Sequence, residues 1–213
     1  MDFGRKSYGG DRPIATQQPI MVTGGFNLDQ TANSFTEGDI IPAGTLVAFD
    51  SATRLAKCHK TAKVLIIDGG DAKIVTLVSD FVKPTFKVGD KVLKAISGLL
   101  ANAPVINSIS DTSAGYVVTL SAAISGLAVG DIIFQTIADS GTATNAGLIA
   151  TSFQALTIAP AEVKASGMQT GIDITLDSGP GAFYLNRIPP VPAGFLTGNV
   201  LKDNHNVKFT SSF

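Results

Sequence analysis

The sequence has little of what catalytic sites and disulfide scaffolds require. Of its 213 residues, one is cysteine, two are histidine and none is tryptophan. A lone cysteine excludes a disulfide within the chain, so thiols do not identify the redox compartment. Two imidazoles leave few candidate bases for nucleophilic catalysis, and together with Cys58 they are too few soft ligands for a closed zinc site.

Charged side chains are also scarce. They make up 15% of the chain, and the formal net charge is -1 at pH 7. Because neither sign is in excess, no global field draws the chain to nucleic acid or to an anionic membrane. We therefore expect no nucleic-acid partner and no membrane partner. The many small neutral residues, among them 22 glycines, suit a surface that is covered by neighbours.

Long apolar runs are missing as well. No run approaches the length that spans a bilayer, and the first residues, MDFGRKSYGGDRP, lack the apolar core of a signal peptide. We expect a chain that begins at Met1 and is synthesised and assembled in a cytoplasm.

What the sequence has in abundance is short apolar runs between turn residues. The stretch Glu37–Asp50, EGDIIPAGTLVAFD, holds a Gly-Asp turn, a strand, a Pro-Ala-Gly turn and a second strand. The Gly-Asp pair recurs before two further apolar runs, at Gly89-Asp90 and Gly130-Asp131. A calcium loop needs several alternating carboxylates, and a phosphate loop needs Lys-Ser/Thr after its glycines. We therefore interpret the three pairs as structural turns that start strands.

Turn residues divide the chain into an arm, a body, an insert and a tail. We predict a mainly β protein whose small barrel or sandwich body carries an inserted small β subdomain and extended N- and C-terminal arms. The divisions are an extended arm at 1–36, a main β domain at 37–80 and 141–186, the inserted β subdomain at 81–140, and an extended Pro-rich tail at 187–213. A short helix competes with strand only within 148–164.

Three other stretches invite a chemical interpretation. Cys58 and His59 are adjacent, so on a strand their side chains point to opposite faces, which disfavours a thiolate–imidazolium pair. Asp68 and Asp71 flank the turn of a hairpin, which is a common place for carboxylates. The basic patch 57–63 has no aromatic residue within it, so we interpret it as a solvated or interface face. We predict no catalytic residue, no cofactor-binding residue and no metal ligand.

The arm and the tail retain spaced apolar residues that a flexible segment would not carry. We expect both to pack on the body or on a neighbouring subunit, with contact residues at Phe3, Ile14, Ile20, Met21, Val22, Phe26, Phe195, Leu201, Phe209 and Phe213.

One family resemblance follows from the runs IPAGTLVAFDSATRLAKCHKTA and GIDITLDSG together with the Pro-rich tail. They resemble the auxiliary capsid proteins of tailed bacteriophages, which are head decoration or head-fibre-base proteins. The resemblance implies a Gly- and Ala-rich β body that opens with the corner Ile41–Val47, and it implies no catalytic residues. The insert departs from the simplest decoration proteins, which leaves open whether the protein only clamps capsid subunits or also presents a domain outward.

The resulting hypothesis is a non-enzymatic structural virion protein on the capsid exterior, which bridges major capsid subunits and stabilises the shell. The resemblance implies the major capsid protein as partner, copies arrayed on the lattice or a homo-oligomer, and head-fibre proteins as further partners. Two alternatives stay open. One is a carbohydrate- or cell-surface-binding β module displayed on a particle, and the other is a small hydrolase with an unidentified carboxylate pair among Asp39, Asp50, Asp90 and Asp131.

Overall fold

The protein is mainly β, as its sequence predicts. The structure is a computed structural model that describes residues 13–22, 25–31, 35–94, 103–112, 115–136, 149–150, 152–165 and 167–211. These residues form nineteen short strands and one 3-10 helix, Ala193–Phe195. Within the described ranges no helix is long and apolar enough to cross a membrane.

A seven-stranded sheet is the centre of the body. Its neighbours pair antiparallel except β2 and β5, which run parallel. In sheet order the strands are β1 (Ile20–Met21), β15 (Ile174–Asp177), β12 (Ala155–Thr157), β4 (Leu46–Asp50), β5 (Leu55–Cys58), β2 (Phe26–Leu28) and β14 (Gly171–Ile172).

The body also contains two smaller sheets. The four-stranded one consists of β16 (Phe183–Tyr184), β19 (Asn204–Thr210), β18 (Val200–Leu201) and β17 (Leu196–Thr197). The two-stranded one consists of β13 (Ala161–Glu162) and β3 (Ile40–Ile41).

The body has an apolar core on each face of the seven-stranded sheet. Successive side chains of a strand point to opposite faces, so Leu46 and Ala48 of β4 face one core and Val47 faces the other. The first core is completed by residues of the four-stranded sheet, such as Phe209. The second is completed by β2 and β14 residues, such as Phe26. This arrangement is sandwich-like.

A six-stranded sheet forms a second unit with its own core. Its order is β8 (Lys91–Leu93), β11 (Ile132–Thr136), β6 (Thr61–Ile67), β7 (Ile74–Leu77), β10 (Gly115–Leu120) and β9 (Ile106–Thr112). The alternating residues Tyr116, Val118 and Leu120 of β10 point into that core. The sheet is not closed into a barrel, although an isolated bridge between Lys91 and Val105 links its outer strands.

This second unit begins earlier than the insert drawn from the sequence at 81–140. Strand β6 pairs with β11, whose Phe134 lies opposite Thr61, so the hairpin of β6 and β7 belongs to the six-stranded sheet. The Gln135 N–H donates to the Lys60 carbonyl at 3.0 Å, which places the two chain crossings between the units side by side. The unit therefore runs from 61 to 136.

The three Gly-Asp turns have the same construction. The N–H of Asp39, Asp90 and Asp131 donates to the carbonyl three residues earlier, at 3.0, 3.0 and 3.1 Å. Each carboxylate accepts the N–H of that same earlier residue, at 2.6, 2.9 and 2.9 Å. The glycine before each aspartate has φ of +81°, +94° and +90°, a region that favours glycine. These pairs are turns that start strands, as the sequence indicates.

The described part of the arm belongs to the body. Ala15 forms an isolated bridge with Phe183, β1 is an edge strand of the seven-stranded sheet, and β2 lies inside that sheet. The sequence predicts an extended arm because glycine and proline interrupt its apolar runs, but short strands fit between those interruptions.

The tail is also folded, so the prediction of an extended C-terminal arm is wrong. Strands β17, β18 and β19 form an antiparallel ladder, and β16 adds to β19 in parallel. The stretch 148–164, where a helix competed, contains β12 and β13 in its described part.

Candidate functional site

A cleft lies between the body and the six-stranded sheet. Its volume is about 840 Å³, which falls within the range typical of binding sites. The body contributes Pro13, Asp39, Ile40, Pro42, Pro160 and Arg187, among others. The opposite wall is the segment 80–88 between β7 and β8, with Ile109 and Asp111 of β9 beside it.

The segment 80–88, which contains no regular strand, forms this wall of the cleft. Pro84 and Phe86 are buried, whereas Phe81 and Lys83 are exposed. The Phe86 carbonyl accepts the Tyr116 hydroxyl at 2.9 Å, which fixes the end of the segment to β10. Among the described residues, the N–H groups of Lys83 and Thr85 have no hydrogen-bond partner. A wall of this kind can accept a further extended strand.

Two ion pairs lie along the cleft. Lys83 pairs with Asp111 at 2.5 Å across the six-stranded unit, and both side chains are about half exposed. Lys87 pairs with Asp39 at 2.8 Å and joins the six-stranded unit to the body. Because water screens exposed charges, pairs of this type contribute little stability and mainly set the charge pattern of the cleft rim.

A third ion pair is buried beside the cleft. The Lys60 ammonium lies 3.0 Å from the Asp90 carboxylate, and both side chains are shielded from solvent. Lys60 also lies over the Phe35 ring, 4.7 Å from its centroid. Burial lowers the pKa of Lys60, although the charge of Asp90 and its hydrogen bond oppose that shift. Since Asp90 also accepts the Lys87 N–H at 2.9 Å, the buried pair is continuous with the Lys87–Asp39 pair.

His59 lies where the body meets the six-stranded sheet. Its ring is surrounded by Phe134 of β11 and by Phe153 and Phe195 of the body, with centroid distances of 5.5, 4.8 and 5.8 Å. Neither ring nitrogen has a hydrogen-bond partner among the described residues. Burial lowers the pKa of His59 to about 3, so the imidazole is neutral near pH 7. It is a packing residue between the two units.

Cys58 lies in the second core of the body, whereas Phe153 and Phe195, which pack on His59, lie in the first core. It packs with Val47 and Ala56, and burial raises the pKa of its thiol to about 12. The two adjacent side chains therefore point to different faces, as the strand period predicts. Neither lines the cleft.

The carboxylates Asp68 and Asp71 belong to a turn. The Asp68 carboxylate accepts the N–H groups of Gly70 and Asp71, both at 2.8 Å, and these bonds lower the pKa of Asp68. Across the described ranges no group of three or more His, Cys, Asp or Glu side chains could hold a metal ion.

The residues predicted to contact a neighbour fall into four sets. Phe26, Phe195, Leu201 and Phe209 are buried in the cores of the body, so their prediction as intermolecular contacts is wrong. Ile14 and Val22 pack partly against those cores, whereas Ile20 and Met21 are exposed. Phe3 and Phe213 lie outside the described residues.

Sequence reasoning missed the buried ion pair. It placed Lys60 in a basic patch that is solvated or lies at an interface, but Lys60 is 1% exposed. Its partner Asp90 is 30 positions away, in one of the Gly-Asp turns. The available sequence signal was that Lys60 directly precedes the strand β6. In the structure, the neighbouring lysines Lys57 and Lys63 are accessible to solvent, as predicted for the patch, and Lys60 is not.

Comparison with known proteins adds no relative: no protein-family model, no curated protein and no solved structure matches this chain.

Proposed function

We propose that the protein is a non-enzymatic structural protein of a phage virion, which binds the outer surface of the capsid and bridges major capsid subunits. The observation that carries the proposal is the exposed apolar edge of the body at β1. Ile20 is 57% exposed and Met21 is 53% exposed, on a strand that pairs with β15 and, within the described residues, with no other strand.

An exposed apolar edge of this type can bind the surface of a partner protein. Neighbouring apolar side chains on a sheet edge lose contact with water when a second protein covers them, and burial stabilises the complex by about 25 cal/mol per Å² of apolar area. The open side of β1 also presents backbone groups that can pair with another chain. Pro19, directly before β1, limits uncontrolled pairing because proline has no N–H.

The construction of the body supports the same role. The first core joins the arm residue Ala15, the seven-stranded sheet and the tail residues Leu201 and Phe209 into one packed unit. A rigid body of this kind can hold two capsid subunits at a fixed spacing. A copy that binds the assembled lattice and not the free subunit stabilises the shell by mass action. The resemblance of the corner Ile41–Val47 to auxiliary capsid proteins is the reason that we propose a capsid as that lattice.

The test is co-sedimentation of the purified protein with phage heads that lack it. The double variant Ile20→Ser/Met21→Ser removes the apolar edge without removing a buried side chain. We expect its apparent Kd for heads to rise by at least about tenfold, which corresponds to about 1.4 kcal/mol of binding energy. Its thermal unfolding should be unchanged, because both side chains are exposed in the free protein.

Met168→Ser is the matched control, since Met168 is 63% exposed and lies outside β1. This variant should bind heads like the unmodified chain. Undiminished binding of the β1 variant would show that β1 is not a capsid-binding element. If the unmodified chain does not bind heads, the proposed function itself is wrong.

A further inference from the structure

The imidazole of His59 lies between the two units and contacts both. Its backbone belongs to the body, because the His59 N–H donates to the Leu46 carbonyl at 2.9 Å. The Phe134 ring reaches it from β11 of the six-stranded unit, with 5.5 Å between the ring centroids, and lies 6.4 Å from the Phe195 ring of the body. Separation of the units would therefore remove an aromatic ring from one side of the imidazole.

Strand β11 brings a second buried polar side chain to this junction. Ile133 points into the core of the six-stranded unit, so Phe134 and Thr136 lie on the other face of the strand. Thr136 is 4% exposed, and within the described ranges neither its Oγ1 nor the ring nitrogens of His59 have a hydrogen-bond partner. Buried polar groups without partners regain hydrogen bonds when water reaches them. The docked junction therefore carries a cost that undocking relieves.

No ion pair stabilises a charge on the imidazole. Strand β11 has no charged side chain. The charged residues of the other segments next to His59 are Lys57, Lys60, Asp90, Lys91, Lys202 and Asp203. Among these, Lys60 and Asp90 pair with each other at 3.0 Å, and the Asp203 carboxylate accepts the Phe153 N–H at 3.1 Å. Burial, and not a neighbouring charge, lowers the pKa of His59.

We propose that this junction is a pH-sensitive contact: protonation of His59 undocks the six-stranded unit from the body, and both units keep their folds. Each unit has an apolar core of its own, so undocking leaves the cores intact. This inference concerns the free protein and goes beyond the proposed attachment through β1.

The direction of the pH effect follows from the two environments of the imidazole. In the docked form the pKa of His59 is about 3, and in the undocked form contact with water returns it toward its ordinary value of 6.5. The undocked form therefore binds the proton more tightly. Docking is favoured fully above about pH 6.5 and becomes less favourable as the pH falls toward 3.

Thiol labelling at pH 7 and pH 5 tests the proposal, since most side-chain carboxylates stay ionised over this interval. Thr136→Cys places a thiol at the junction, and Thr61→Cys, opposite Phe134 on β6, is a second probe. The labelling rate, divided by that of the exposed control Met168→Cys, measures how often the junction opens. We expect this relative rate to rise about 10- to 25-fold from pH 7 to pH 5, the larger rise applying if the pKa of His59 returns fully to 6.5.

Two comparisons separate undocking from unfolding. Cys58 lies in the second core of the body and should stay unlabelled at both pH values in the same chain. Addition of His59→Leu should abolish the pH dependence, whereas Asp203→Asn, which keeps an oxygen for the Phe153 N–H, should preserve it. The proposal is overturned by a relative rate that does not change with pH, by a rise that persists with His59→Leu, or by labelling of Cys58 in parallel with the junction thiol.

Discussion

His59 is held between aromatic rings from both units, and neither of its ring nitrogens has a hydrogen-bond partner among the described residues. The nearest charged residue along the chain, Lys60, is directed to Asp90 and the Phe35 ring. An imidazolium in this environment would lose its hydration without gaining a partner. Lowering the pH should therefore destabilise the junction between the units, through protonation of His59, before it destabilises the apolar cores.

The first prediction concerns stability against pH. In the folded chain His59 stays neutral down to a pKa of about 3, whereas in the unfolded chain it binds a proton near its ordinary value of 6.5. The unfolded state binds more protons between these values, so stability is full above about pH 6.5 and falls as the pH is lowered toward 3. We expect a contribution of about 2 to 3 kcal/mol to be lost between pH 7 and pH 4.5.

Urea unfolding at both pH values measures this loss. His59→Leu should remove that part of the pH dependence, while His205→Gln should not, because His205 is the exposed second histidine of the chain. A His59→Leu chain with the same pH dependence as the unmodified one would contradict the assignment.

The buried ion pair leads to a second prediction at this scale. Lys60→Met leaves the Asp90 carboxylate buried without its ammonium partner, so we expect a loss of about 3 to 5 kcal/mol in the free energy of unfolding. Lys83→Met is the matched control: it breaks the half-exposed pair with Asp111 and should change the free energy by less than about 1 kcal/mol. Urea unfolding distinguishes the two. Similar losses in both variants would show that burial does not set the strength of the Lys60 pair.

At the scale of elements, pairing between distant strands decides where the second unit begins. Strand β6 lies between β11 and β7, and β7 lies between β6 and β10. A fragment that starts at Phe81 would lack both β6 and β7, so β10 and β11 would each lose a neighbour and the core would lose Val64, Val75 and Leu77.

We therefore expect a fragment of residues 60–137 to give dispersed amide signals in NMR spectra, and a fragment of residues 81–137 to give the narrow dispersion of an unfolded chain. The longer fragment keeps all six strands of its sheet and the Lys60–Asp90 pair. Dispersed spectra from the shorter fragment would show that the hairpin of β6 and β7 is not required for this unit to fold.

For the whole molecule, local patterns could be predicted and distant partners could not. The Gly-Asp turns follow from residues such as Gly38 and Asp39 that are adjacent in sequence, and the opposite faces of Cys58 and His59 follow from the strand period. The partner of Lys60 required knowledge of which strands meet.

The tail shows the same limit. The spacing of Phe195, Leu201 and Phe209 predicts burial, but burial on the chain's own body and burial on a neighbour produce the same sequence pattern. The cleft could not be predicted either, because its two walls lie far apart in sequence and meet only when both units are assembled.

The hydrogen bond from the Gln135 N–H to the Lys60 carbonyl, at 3.0 Å, places the two ends of the six-stranded unit side by side. A segment whose ends meet can be lost, gained or replaced without rethreading the rest of the chain. The body carries the unit through two neighbouring attachment points, the packing of Phe134 against His59 and Phe195, and the Lys87–Asp39 ion pair. The six-stranded unit thus has the neighbouring ends that insertion of a unit into a loop of the body requires.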